Sequence, residues 1–451
     1  MAPKVDMRME ALDTLVDMDR KGKLSHIAIG DSMLRLQFLD RKERAFYKTL
    51  CEGVTERQLY LDYVLDHISS VPMRKCKPLI RNLLRMSAYQ ILFMDVPDHA
   101  ACDQAVRMAR KRKFGRLSGF VNGVVRSLAR QAGNLPLPDR DENETEYLSV
   151  LYSMPETVTE LLIRQYGVEK TEKMLAFFLT RRPITIRTCI SKTDPPALKK
   201  MMEEEGVSVR EGQLIPGAFE IEAPDSLRRV KAFRQGFFTV QDESSMLPVR
   251  LADPAPGSLV VDVCAAPGGK ALHAADLLSG DGLVIARNLT PAKTDMIREN
   301  CERMGADIVR VEERDARDPD PDLFGKADLV LADLPCSGLG VMARKNDIKY
   351  HISDRQLDDL VRLQREILSV VWQYIRPGGQ LIYSTCTLNK GENEEQVSWI
   401  RENTPLVPES IEERLPACLR GRTGEQGHIT LIPGQDPCDG FFAAAFRRPQ
   451  E

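Results

Sequence analysis

From Leu259 onward the chain reads as apolar runs separated by helical stretches: LVVDV, LVIAR, DIVRV, DLVLAD, QLIYST, HITLI and FFAAAF. A run that is apolar at nearly every position, rather than at every second one, is a strand buried on both faces. Strands of that kind alternating with helices fold into a mainly parallel sheet covered on both sides. No other pattern in the sequence restricts the fold as much. It predicts a Rossmann-like α/β domain over residues 237–451, entered through FTVQDESSMLPV from Phe238 to Val249. In such sheets ligands lie beyond the carboxyl ends of the strands. The first strand runs into Cys264, Ala265, Ala266, Pro267, Gly268, Gly269 and Lys270, and helical spacing resumes at Leu272, Ala275 and Leu278. Small residues let the backbone turn sharply and let a ligand lie against bare amides at a helix N-terminus.

A chain of 451 residues is too long for one typical domain. Residues 1–132 read as an all-helical bundle, with apolar positions three and four apart at Leu12, Leu15 and Val16, then at Leu79, Ile80, Leu83, Leu84 and Ile91. Arg107, Arg110, Lys111, Arg112, Lys113 and Arg116 follow with no acid among them, and Phe120, Val121, Val124, Val125 and Leu128 then share one helix face. The net charge is −3, so any nucleic-acid partner needs basic residues gathered locally. This cluster is either such a phosphate-binding surface or an ordinary solvated face. Residues 133–146, with Pro136 and Pro138, read as a linker. Residues 147–236 read as a small α+β module: a helical pair, the alternating strand ITIRTCI, a helix from Leu198 to Glu205, and short strands near Leu214 and Phe219. The ten cysteines contain no CxxC pair, so neither a disulfide scaffold nor a zinc or other metal site is expected. MAPKVDMRME has no apolar core of a signal peptide and no run reaches the length of a membrane span, so a cytoplasmic protein is expected.

The strand ends carry chemistry. Asn288 follows the second strand and Asp315 the third; Asp333 and Cys336 lie in DLPCSG after the fourth, and Cys386 in STCT after the fifth. A lone cysteine is ordinarily a small inert hydrophobe. Two at successive strand ends, with carboxylates on the same rim, suggest nucleophilic chemistry instead.

DVCAAPGGK, ADLPCSG, YSTCT and DGFFAAAF, with QDESSMLP before them and ENEEQV among them, resemble the motifs of RNA cytosine-C5 methyltransferases of the Sun (Fmu) family, over roughly residues 147–448. GFVNGVVRSLAR, Gly119 to Arg130, and the helices before it resemble the antitermination factor NusB, a small helical RNA-binding bundle. The resemblance implies S-adenosylmethionine in the turn Cys264–Lys270, with Asn288 at the ribose, Asp315 near the adenine and Asp333 beside both methyl donor and target base. It implies Cys386 as the nucleophile and Cys336 as the cysteine that helps resolve the covalent adduct. The residues alone leave that assignment open, because DNA cytosine methyltransferases attack from a Pro-Cys like Pro335-Cys336. It further implies 16S rRNA, or a precursor of the small ribosomal subunit, as partner; a monomer is expected. Arg344, Lys345, Lys349 and Tyr350 could hold RNA phosphates or stack on a base, or form an ordinary charged loop.

Two departures stand out. Asn288 replaces the family's ribose-binding Asp, and Ala343 and Asn346 stand where the family has Arg and Pro. Asn288 leaves a rival reading, a catalytically weak RNA-binding assembly factor that keeps the fold. A nicotinamide-dependent dehydrogenase is disfavoured because the turn lacks G-x-G-x-x-G.

Overall fold

In the computed structural model, residues 5–222, 226–424 and 427–450 are described. The chain divides into two compact units, Met1–Leu179 with Met342–His351, and Thr180–Val341 with Ile352–Glu451.

The first unit is helical. Seven helices between Met7 and Gln131 bury the periodic apolar positions, among them Leu12, Leu15, Leu83, Leu84, Val121, Val125 and Leu128, in one core with Tyr47, Leu50, Leu61 and Leu65. Asp6 caps the first helix by accepting from the Arg8 and Met9 amides, which a helix start otherwise leaves unpaired. Arg107, Arg110, Lys111, Lys113 and Arg116 are exposed, whereas Arg112 pairs with Asp13. Three further helices, Glu144–Leu151, Glu156–Tyr166 and Val168–Phe178, belong to this unit. The region expected as one middle module is thus divided between the units.

The second unit holds two sheets. The smaller has four antiparallel strands, β1 (Ile184–Thr188), β2 (Val209–Glu211), β3 (Ala218–Ile221) and β4 (Phe238–Val240), in the order β2-β3-β1-β4. Ile186, Leu198, Met202, Phe219 and Phe238 form its core. The strand expected near Leu214 lies earlier, at β2. Leu214 itself sits in a turn whose Gln213, Leu214 and Ile215 amides all donate to the buried Glu243 carboxylate. A buried ion pair, Arg187 to Asp276 at 2.6 Å, ties this sheet to the helix Gly269–Leu278.

The larger sheet contains β5 (Leu259–Asp262), β6 (Leu283–Asn288), β7 (Val309–Glu313), β8 (Ala327–Asp333), β9 (Ile375–Thr385), β10 (Val407–Pro408), β11 (His428–Leu431) and β12 (Phe441–Arg447). Its order is β10-β12-β9-β8-β5-β6-β7, with β11 beside β12. The five strands from β7 to β9 are parallel, and β12 closes antiparallel on β9. Alternate residues feed two cores: Val260, Leu329, Leu331 and Ile382 on one face, Val261, Val330, Ala332 and Tyr383 on the other. This two-sided burial is why the runs are apolar throughout. Chain order reverses between β5 and β8, so a crevice opens at their carboxyl ends, the usual ligand position in such sheets.

Candidate active site

The turn after β5 occupies that switch point. Gly268 has φ +106°, a backbone conformation that side chains rarely adopt. Behind it the helix Gly269–Leu278 presents its unpaired N-terminal amides. At the root of the turn Asp262 is buried; one carboxylate oxygen accepts the Cys264 amide at 3.3 Å, and the other is buried without a hydrogen-bond partner. Burial pushes the Asp262 carboxyl up to about 7, with Lys270 opposing the rise. Burial also pushes the Cys264 thiol up to about 12, so it stays neutral and unreactive. Asn288, at the end of β6, is buried and its amide oxygen accepts the Leu289 amide at 2.9 Å. Asp315, just past β7, is held by Arg317 through Nη2 at 2.7 Å, and that pairing lowers its pKa.

Asp333 and Ser384 are register partners on β8 and β9, so the loops that follow start level with one another. Lys270 Nζ lies 2.6 Å from Asp333 Oδ2, and the Ser384 hydroxyl donates to Asp333 Oδ1 at 2.8 Å. Lys270 thus faces the acid at the end of β8 as well as the turn it belongs to, with its ammonium 5.3 Å from the centre of the Phe441 ring. Past these residues the two loops converge until Cys336 Sγ and Cys386 Sγ are 3.3 Å apart. Both cysteines are half-buried residues. The hydrogen bond with Cys386, together with burial, holds the Cys336 thiol well above its ordinary pKa. Gly340 makes the approach possible. A Cβ there would lie 2.0 Å from the Gly440 carbonyl oxygen and 2.8 Å from that of Cys386. The DLPCSG, STCT and DGFF segments therefore meet at one glycine contact.

The loop after DLPCSG is a correction. Arg344 and Lys345 are exposed, but Lys349 is buried in the helical unit, where its ammonium donates to the Glu56 carbonyl at 2.9 Å. The Tyr350 hydroxyl donates to the Thr55 carbonyl at 3.0 Å, and Asp347 accepts the Ser25 amide. Lys349 is an anchor within that unit, and its burial removes it from any surface that RNA could touch. Ser384 was not legible as a site residue, although its place before Cys386 and level with Asp333 was a signal that strand pairing could have supplied.

The sequence model of the 16S rRNA methyltransferase RsmB/F family matches residues 249–447, and that of the NusB family residues 6–130. A probable ribosomal RNA small subunit methyltransferase B from Bacillus subtilis is 33% identical over 449 residues, covering 99% of each chain. The chain belongs to the RsmB/F family. The ribosomal RNA small subunit methyltransferase B of Vibrio cholerae is 28% identical over 408 residues, 90% of each chain. Among solved structures, PH0851 gives a TM-score of 0.81 at 24% identity over 98% of this chain and 99% of its own. NSun6 from Pyrococcus horikoshii with SFG gives 0.59 at 22%, over 67% and 100%. These identities speak to the fold alone.

RsmB/F proteins are S-adenosylmethionine-dependent methyltransferases, and the residues present here fit that cofactor. A turn of small residues, a helix N-terminus, and Asn288 and Asp315 on adjacent strand ends offer acceptors and bare amides together. Among the described residues no helix is long and apolar enough to cross a membrane.

Proposed function

We propose that this RsmB/F protein methylates carbon 5 of an unpaired cytosine in 16S rRNA through a covalent thiol adduct. The observation that carries the reading is the pair of thiols 3.3 Å apart next to an acid held by Lys270 and Ser384. Cytosine C5 is a poor nucleophile, and a thiolate adding at C6 makes it electron-rich, which splits one hard step into easier ones. Cys386 adds at C6, the role its place in the STCT motif implies, with the Cys336 sulfur 3.3 Å away. The Asp333–Lys270 pair takes up charge at N3 through a hydrogen bond or proton. Bound S-adenosylmethionine supplies the methyl group as an activated sulfonium. A water beside the two thiols takes the C5 proton, and the electron pair of that C–H bond then expels Cys386 from C6 as thiolate. Such an attack requires the base out of any stack, so a loop or extruded cytosine is the substrate. The names of the relatives support 16S rRNA, and the exposed basic residues of the helical unit, with Arg344 and Lys345, supply phosphate contacts.

The test is methyl transfer from labelled cofactor to 16S rRNA or small subunits, with adduct trapping on 5-fluorocytosine RNA. Cys386→Ala is expected to abolish the adduct and Cys336→Ala to let it accumulate. An adduct that survives in Cys386→Ala would overturn the assignment.

A further inference from the structure

Glu392 and Asn393 lie outside every strand and touch neither the turn nor the acid described above, yet both are fully buried. Asn393 holds the residues on both sides of Cys386, and Glu392 holds the residue that follows Cys336. The Asn393 side chain accepts the Thr385 hydroxyl at 2.6 Å and donates to the Thr387 carbonyl at 3.0 Å, so it brackets Cys386. The Glu392 carboxylate accepts the Ser337 amide at 2.8 Å and the Ser337 hydroxyl at 2.6 Å, on the far side of Cys336. Gln364 completes that bracket by donating to the Pro335 carbonyl at 2.9 Å and to Glu392 at 3.2 Å. A hydrogen bond of 2.6 Å between the Ser337 and Thr387 hydroxyls joins the two brackets. The Ser337 hydroxyl donates to Glu392, so the Thr387 hydroxyl is the donor to Ser337.

We propose that Glu392 and Asn393 are positioning residues that fix the spacing and direction of the Cys336 and Cys386 thiols through the residues flanking each. Burying a carboxylate is costly unless its lone pairs are used. Here the Ser337, Asn389 and Gln364 donors use them, two of these belonging to the thiol loops. An apolar residue would fill the same space without setting where either loop points. Reacting groups must be held within a fraction of an ångström, and this network supplies that from two consecutive positions in the chain.

The inference rests on the reading that both thiols work in the reaction, so its test includes a readout that needs no RNA. Dibromobimane becomes strongly fluorescent when it bridges two neighbouring thiols, and Cys336→Ser and Cys386→Ser give its baselines. In Glu392→Gln and Thr387→Val, the bridging rate and the single-turnover methylation rate are expected to fall about tenfold or more, with cofactor affinity kept within about twofold. If Glu392→Gln does not fold, Thr387→Val, which removes the joining hydroxyl and the acceptor it gives the Asn389 amide, decides. Folded variants that bridge at the wild-type rate overturn the inference. Slower bridging in variants of a protein that forms no adduct with any cytosine RNA would leave the positioning role standing and sink the proposed function instead.

Discussion

The Asn288 amide oxygen already accepts from its neighbour's backbone, so what it can offer a ribose is limited. An aspartate would keep that acceptor and add a second, charged one, and charge-assisted hydrogen bonds are roughly twice as strong as neutral ones. Asn288→Asp is therefore expected to tighten S-adenosylmethionine binding about tenfold, near 1.4 kcal/mol; calorimetric titration showing no gain would remove Asn288 from the cofactor site. Lys349 makes a different statement at the same scale. Burial lowers its pKa to about 7, against a partial opposing effect from Glu56, while an unfolded lysine titrates near 10.4. Between those values the unfolded chain binds the extra proton, so stability rises with pH across that window. Below about 7 both states are protonated and the penalty is full. Lys349→Met is expected to flatten this slope, read as urea midpoints at pH 7 and pH 9 for both proteins. An unchanged slope would mean that the ammonium is solvated.

At the scale of elements, the fold was legible where one strand's own residues decide its environment. LVVDV, LVIAR, DLVLAD, QLIYST and FFAAAF became strands buried on both faces, with no polar alternation to mislead, while DIVRV at the sheet edge and HITLI became strands despite partial exposure. Adjacency was legible only as far as a shared rim for Cys336 and Cys386. The register of β8 on β9, which brings Asp333 level with Ser384, is a property of strand pairing. In the polar run NKGENEEQV, Asn389, Glu392 and Asn393 are buried, with partners at Ser337, Gln364 and Thr385 to Thr387. Lys349 was not legible: in a basic loop it reads as surface, and only the distant carbonyl of Glu56 explains its burial. Gly340 shows how tightly these segments are fitted. Gly340→Ala would press a methyl group against two backbone carbonyls with no flexible side chain to yield, so a loss of about 2 kcal/mol or more is expected in denaturant unfolding. In the helical unit the basic stretch after Arg107 is tested by salt. Lys111→Ala and Lys113→Ala are each expected to lower the slope of log affinity for RNA against log salt by nearly 1, with no change in cofactor binding.

For the whole molecule, the chain leaves the helical unit after Leu179, returns to it for Met342–His351 and leaves again. That segment follows directly on the DLPCSG loop, and its partners are Ser25, Thr55, Glu56 and Ser153, all in the first 179 residues. The helical unit is thus not a detachable front end: a part of its own packing is supplied from the middle of the methyltransferase sequence. A chain beginning at Thr180 would keep every strand of the large sheet but leave Asp347, Lys349 and Tyr350 without those partners. Proteases cut where backbone opens locally, and loss of packing lowers the free energy of that opening. Trypsin is expected to cleave after Arg344 and Lys345, exposed in both proteins, whether or not the first 179 residues are present. Cleavage after Lys349 is expected to be rapid only in the truncated chain. If mass spectrometry of the digests finds that bond equally protected in both, the segment holds its shape without the helical unit, and the two-way threading of the chain has no consequence for stability.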